Sequence, residues 1–197
     1  MNRALLRLSA VAFVLTPSIA FAHPGHAPHH DFAQGFLHPL SGIDHLLAMV
    51  AVGLFAAHLG GRALALVPAA FVATMAAAGL LGMSGFGLPF MEIGIAMSVI
   101  VLGTAVALRL QLPLAAAMGL VGFFAIFHGY AHGAEMPATV SGLAYGIGFV
   151  AATTLLHGVG IGLGLFTGIL SKSYARVLQV GGGAMALGGV ALLVGLL

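Results

Sequence analysis

The chain has 197 residues, 61% of them hydrophobic and 5% charged, with a mean hydropathy of +1.16. Soluble domains carry about 25% charged residues, so this chain cannot cover itself in water and reads as a membrane protein. It has no cysteine, which excludes a disulfide framework, a thiolate metal site and a cysteine nucleophile, and a net charge of +2 gives no reason to expect a nucleic-acid partner.

In chain order, the first element is a targeting segment. Arg3 and Arg7 make a positive start, Leu8 to Leu15 a short apolar run before Pro17, and Ala20-Phe21-Ala22 an A-x-A cleavage signal. Residues 1–22 therefore read as a secretory signal peptide. The competing reading is a retained first span, but the apolar run is too short for about 30 Å of hydrocarbon. Cleavage after Ala22 starts the mature chain at His23, outside the cytoplasm. Such a signal on a cysteine-free polytopic protein suggests a bacterial inner membrane.

Residues 23–37 form a histidine-rich head. His23, His26, His29, His30 and Asp31 fall within nine residues, a composition suited to loose metal capture. A flexible polar tail is the bland alternative.

Six apolar stretches follow, near 38–58, 64–83, 91–108, 112–130, 141–169 and 177–197, each able to span a bilayer at about 20 residues. The thirty glycines are roughly twice the usual share of about 7%. Pairs such as Gly142 and Gly146, Gly158 and Gly162, or Gly160 and Gly164 suit close helix packing. With His23 outside, Arg62, Arg109, Lys172 and Arg176 all fall in cytoplasmic connections, as the positive-inside rule requires. The fold expected is all-α: a polytopic membrane helix bundle over 38–197, six transmembrane helices after signal-peptide removal, both mature termini periplasmic.

The ten histidines outnumber the six bases and the four acids, and ionisable residues inside a membrane are functional candidates by default. Span one opens on His38-Pro39-Leu40-Ser41-Gly42-Ile43-Asp44-His45. Pro39 suits a first helical position, so the helix is expected to start there. His38 and His45 would then lie two turns apart on one face, with Asp44 beside them. Glu92 opens span three at the outer side. It either joins a site or simply favours a helix N-terminus. Span four ends on Phe127-His128-Gly129-Tyr130-Ala131-His132-Gly133-Ala134-Glu135, with His128, His132 and Glu135 along one face. The topology sets this cluster level with that of span one. Imidazoles and carboxylates together suit borderline divalent ions such as Ni²⁺, Co²⁺ and Zn²⁺. His157, deep in span five after Thr153 and Thr154, reads as a transit ligand or a core histidine. His58, at the inner end of span one, reads as an interfacial histidine or an exit ligand.

His38-x5-Asp44-His45 and Phe127-His128-Gly129-x-Ala131-His132-Gly133-x-Glu135 match the two signature motifs of the HupE/UreJ family, which the mature chain resembles throughout. The resemblance implies a secondary nickel permease linked with hydrogenase or urease maturation proteins. It makes His38, Asp44, His45, His128, His132 and Glu135 the functional residues. Nickel would be the transported substrate, with Co²⁺ or Zn²⁺ as alternatives and no permanently bound cofactor. The alternatives from other classes are an intramembrane zinc-dependent hydrolase, a haem-binding electron carrier, and a metal sensor or chaperone.

Overall fold

Lipid offers backbone amides no water, so an apolar segment must close its own hydrogen bonds, and helices do so. In the computed structural model, which describes residues 28–195 apart from Phe86, Ala138, Ser171 and Lys172, seven helices and no strand occur among those residues. They are α1 (Pro28–Ser41), α2 (Ile43–Leu59), α3 (Ala63–Met83), α4 (Met91–Ala107), α5 (Leu114–Glu135), α6 (Gly142–Leu170) and α7 (Tyr174–Leu193). The signal segment, His23, His26 and Lys172 lie outside the described residues. Helices α3, α5, α6 and α7 each contain a stretch long and apolar enough to cross a bilayer, which makes this a multi-pass membrane protein. Helix α4 is apolar and 17 residues long, about 25 Å at 1.5 Å per residue.

One expectation needs correction. His38 and His45 do not share a helix face, and span one does not start at Pro39. Pro39 sits in the last turn of α1, where its missing N–H removes one i→i−4 hydrogen bond just before the helix ends. Gly42 is extended (φ −97°, ψ 123°), and α2 begins at Ile43, bent by 82° from α1. The extended backbone at Gly42 is open to any residue, but a side chain there would crowd Asp44 and His45. A Cβ at Gly42 would sit 2.6 Å from Asp44 Oδ1 and 3.0 Å from His45 Nδ1. Two thirds of the expected head is also helical: residues 28–37 belong to α1, which packs along α6. The Asp31 carboxylate accepts the Ser141 N–H at 2.9 Å, tying the start of α1 to the start of α6. Helix α5 runs on to Glu135 rather than ending near 130, so His132 and Glu135 stay helical.

Helix α2 is the centre of the bundle. From Ala51 to Ala57 every residue is buried, as expected for a helix that is apolar all round. Four helix pairs approach closely around it: α3 with α5, α4 with α7, α2 with α6, and α1 with α6. Glycine sets each approach. A Cβ at Gly129 would run into the Met75 carbonyl, and one at Gly133 into that of Gly79. Gly53 lies against the His157 carbonyl, Gly182 against the Ala107 amide, and Gly35 against the Tyr145 carbonyl. Of the glycines singled out by spacing, Gly160 and Gly164 pack on α2, whereas Gly146, Gly158 and Gly162 have open space where a Cβ would go.

Close packing of this kind is testable by overpacking one seam. Gly129→Leu must push α5 off α3 and is expected to destabilise the detergent-solubilised protein by about 1–3 kcal/mol. Gly119→Leu, on the same helix with nothing within 4 Å of its Cβ position, is expected to change the melting transition little. Equal melting losses in the two variants would contradict the packing described.

Candidate metal centre

The bend at Gly42 brings two sequence-distant motifs together. Helix α1 ends over the bundle and presents His38. The first turn of α2 supplies Asp44 and His45, and the last turns of α5 supply His128, His132 and Glu135. The His38 and His132 rings lie 4.8 Å apart, those of His45 and His132 4.3 Å, and those of His45 and His128 4.9 Å. His38 Nε2 is 3.7 Å from Glu135 Oε2. One ligand atom each from His38, His132 and Glu135 fall within 4.8 Å of one another. The result is a column of four imidazoles, entered from the Glu135 end and deepening through His132 and His45 to His128. His45, His128 and His132 are buried, while His38 and Glu135 stay partly open.

A cleft of about 210 Å³ opens onto this column, lined by His38, Asp44, His45, Glu92 and Glu135 among others. Glu92, in the first turn of α4, therefore faces the same space, although it stands outside the tight His38–His132–Glu135 group. Three carboxylates around one cleft set a negative field suited to a divalent cation.

Hydrogen bonding shows which ring atoms are free. Asp44 Oδ1 accepts both the His45 backbone N–H at 2.8 Å and the ring Nδ1–H at 2.7 Å. The His45 lone pair is thus on Nε2, which is buried with no partner among the described residues. His128 Nδ1 and both ring nitrogens of His132 are likewise buried with no partner among the described residues. A buried polar atom left unmet costs about 1–3 kcal/mol. Several of them converging in one place is the arrangement a metal ion would satisfy. Neutral imidazoles held by carboxylate partners are also the usual form of a metal-ready histidine.

His157 lies deeper, on α6, and is not in contact with the column. Phe71 of α3 separates them, its ring centroid 5.7 Å from that of His128 and 5.2 Å from that of His157. Both His157 nitrogens are buried without partners, and Thr153, one turn earlier, points its hydroxyl at the Met75 sulfur at 3.8 Å. His58 is elsewhere, at the far end of α2, where its Nε2 accepts from the Gln111 amide at 3.0 Å.

Sequence reasoning missed four neighbours. Phe149 packs on His132 with centroids 4.0 Å apart, and Tyr145 edges onto His38 at 6.0 Å. Phe71 caps the column from below, and Ser98 touches His128. All four are ordinary residues of apolar helices, and no spacing rule distinguishes them from core.

Comparison with known proteins shows the family. The family model described as "HupE / UreJ protein" matches residues 11–192. "Protein HupE" of Rhizobium leguminosarum bv. viciae is 47% identical over 188 residues, covering 95% of this chain and 96% of that protein. No solved structure matches the chain. The chain belongs to the HupE/UreJ family.

The unmet ring nitrogens carry a stability consequence. In metal-free protein, His132→Leu removes two unpartnered buried nitrogens at similar volume. It is expected to raise stability by about 1–3 kcal/mol, read from thermal melting in detergent. A large loss of stability would mean that His132 is held by protein contacts and not left free for a ligand.

Proposed function

We propose that this member of the HupE/UreJ family is a secondary transporter that admits a divalent transition-metal ion, Ni²⁺ foremost, from the periplasm to the cytoplasm for metalloenzyme maturation. The observation that carries the reading is the column itself: His38, His45, His128 and His132, from three helices, the last three with buried ring nitrogens unpartnered among the described residues, beside Asp44, Glu92 and Glu135. In this reading α2 to α7 are six spans of a bacterial inner-membrane protein whose mature termini are both periplasmic. The placement of Arg62, Arg109, Lys172 and Arg176 supports that topology.

The ion is captured where the cleft is open, between His38 and Glu135. His23 and His26 of the head feed it from outside. Carboxylates offset its double charge while imidazoles replace its water, since an uncompensated ion cannot enter low dielectric. Successive ring contacts hand it to His128. Movement of Phe71 admits it to His157 and then to the inner end.

No nucleotide is needed. Moving two charges inward across 100 mV releases about 4.6 kcal/mol, enough for roughly a thousandfold gradient. Imidazole and carboxylate, without thiolate, bind firmly enough to capture and weakly enough to release. Cobalt meets the same donor set and is the nearest competing substrate.

Purified protein in liposomes with an inside-negative potential is expected to take up radiolabelled Ni²⁺. Asp44→Ala and His128→Ala should each abolish that flux. Uptake should persist through pH 6.5 and fall only on further acidification, because burial holds the His38 ring below the ordinary imidazole range and protons compete for the same lone pairs. No flux from well-folded protein, together with tightly retained zinc, would replace transport by an intramembrane hydrolase.

A further inference from the structure

His128 is the deepest ring of the column, fully buried, and its orientation is set from a helix that carries neither signature motif. Ser98, also fully buried on α4, has its Oγ 2.8 Å from His128 Nε2 and 2.6 Å from the Ile95 carbonyl oxygen. A serine hydroxyl has one proton. Two oxygens 2.6 Å apart need a proton between them, so that proton is committed to Ile95. Towards His128 the hydroxyl can then only accept, and the proton of that bond must come from Nε2.

We propose that Ser98 is a positioning residue that holds His128 as the Nε2–H tautomer, leaving its lone pair on Nδ1. The bonds form a relay in one direction: His128 Nε2–H donates to Ser98, and Ser98 donates to Ile95. Nδ1 is the buried nitrogen with no partner among the described residues. His45 is held the opposite way, with its proton on Nδ1 facing Asp44 and its lone pair on Nε2. Two neighbouring imidazoles, 4.9 Å apart, are thereby fixed in opposite tautomers. A free imidazole would exchange tautomers and offer its lone pair half-heartedly to either side. Ser98 removes that ambiguity without touching the ion, and its effect on metal binding rests on the transport reading above.

The test uses full-length protein labelled with ¹⁵N-histidine, metal-free, with His128→Gln as the assignment control. Wild type is expected to show His128 as a single Nε2–H tautomer. Ser98→Ala should give a mixture and weaken Ni²⁺ binding, by titration calorimetry, about 10- to 100-fold, the usual loss for an outer-shell contact. Ser98→Thr, which keeps the hydroxyl, should restore both. A proton on Nδ1 in wild type overturns the assignment. So does a Ser98→Ala protein in which either the tautomer or the affinity is unchanged. If wild type shows the Nε2–H tautomer but binds no Ni²⁺, the transport reading fails and the tautomer assignment stands.

Discussion

An imidazole buried in a lipid-facing bundle with an unmet lone pair works against folding, and this bundle gathers several in one place. Everything near them follows from that constraint. The surrounding helices bury His45, His128 and His132, so most of each ring is withdrawn from solvent. Asp44 and Ser98 each use up one nitrogen of a ring and thereby leave the other free. The apolar walls from Phe71 and Phe149 keep competing donors away. On the proposed reading, stability is given up at one point for a binding capacity, the trade expected where function is housed.

Holding rings within ring-contact distance demands backbones that scarcely move. In a membrane the hydrophobic effect does not press helices together, and packing has to do it. Glycine provides the means at each seam of the bundle. Gly129 and Gly133 fix the height of α5 against α3, and so the height of His128 and His132. Gly53 fixes α2 against the backbone of His157. The glycines and the histidines are thus one device: the former bring the helices close, and the latter meet because they are close.

The arrangement also has a direction. Its outer end is partly open and carries carboxylates, its middle is imidazole, and on the other side of Phe71 lies His157. Charge compensation is greatest where a hydrated ion would have to shed water. It falls away inward, where tight holding would only impede release. That gradient fits a route better than a permanent store.

Much of this was legible in the chain itself. Composition forces a membrane bundle, because 5% charged residues cannot face water. The spacing of His128, His132 and Glu135 places them on one helical face, and the structure keeps them there, since a 3.6-residue period is a local property. The spacing of His38 and His45 suggested the same and misled. The chain turns by 82° at the extended Gly42 between them, and nothing local in the sequence marks that break. Ser98, Phe71, Tyr145 and Phe149 were illegible for a related reason: a residue's role here comes from its neighbours across helices, not along one. Sequence alone determined the medium, the helical state and the donor chemistry, which depend on residue type and period. Which rings meet, which nitrogen each leaves free, and where Phe71 interrupts them were decided only by the packing of α1 through α6, because those are distances between segments that the chain order leaves unspecified.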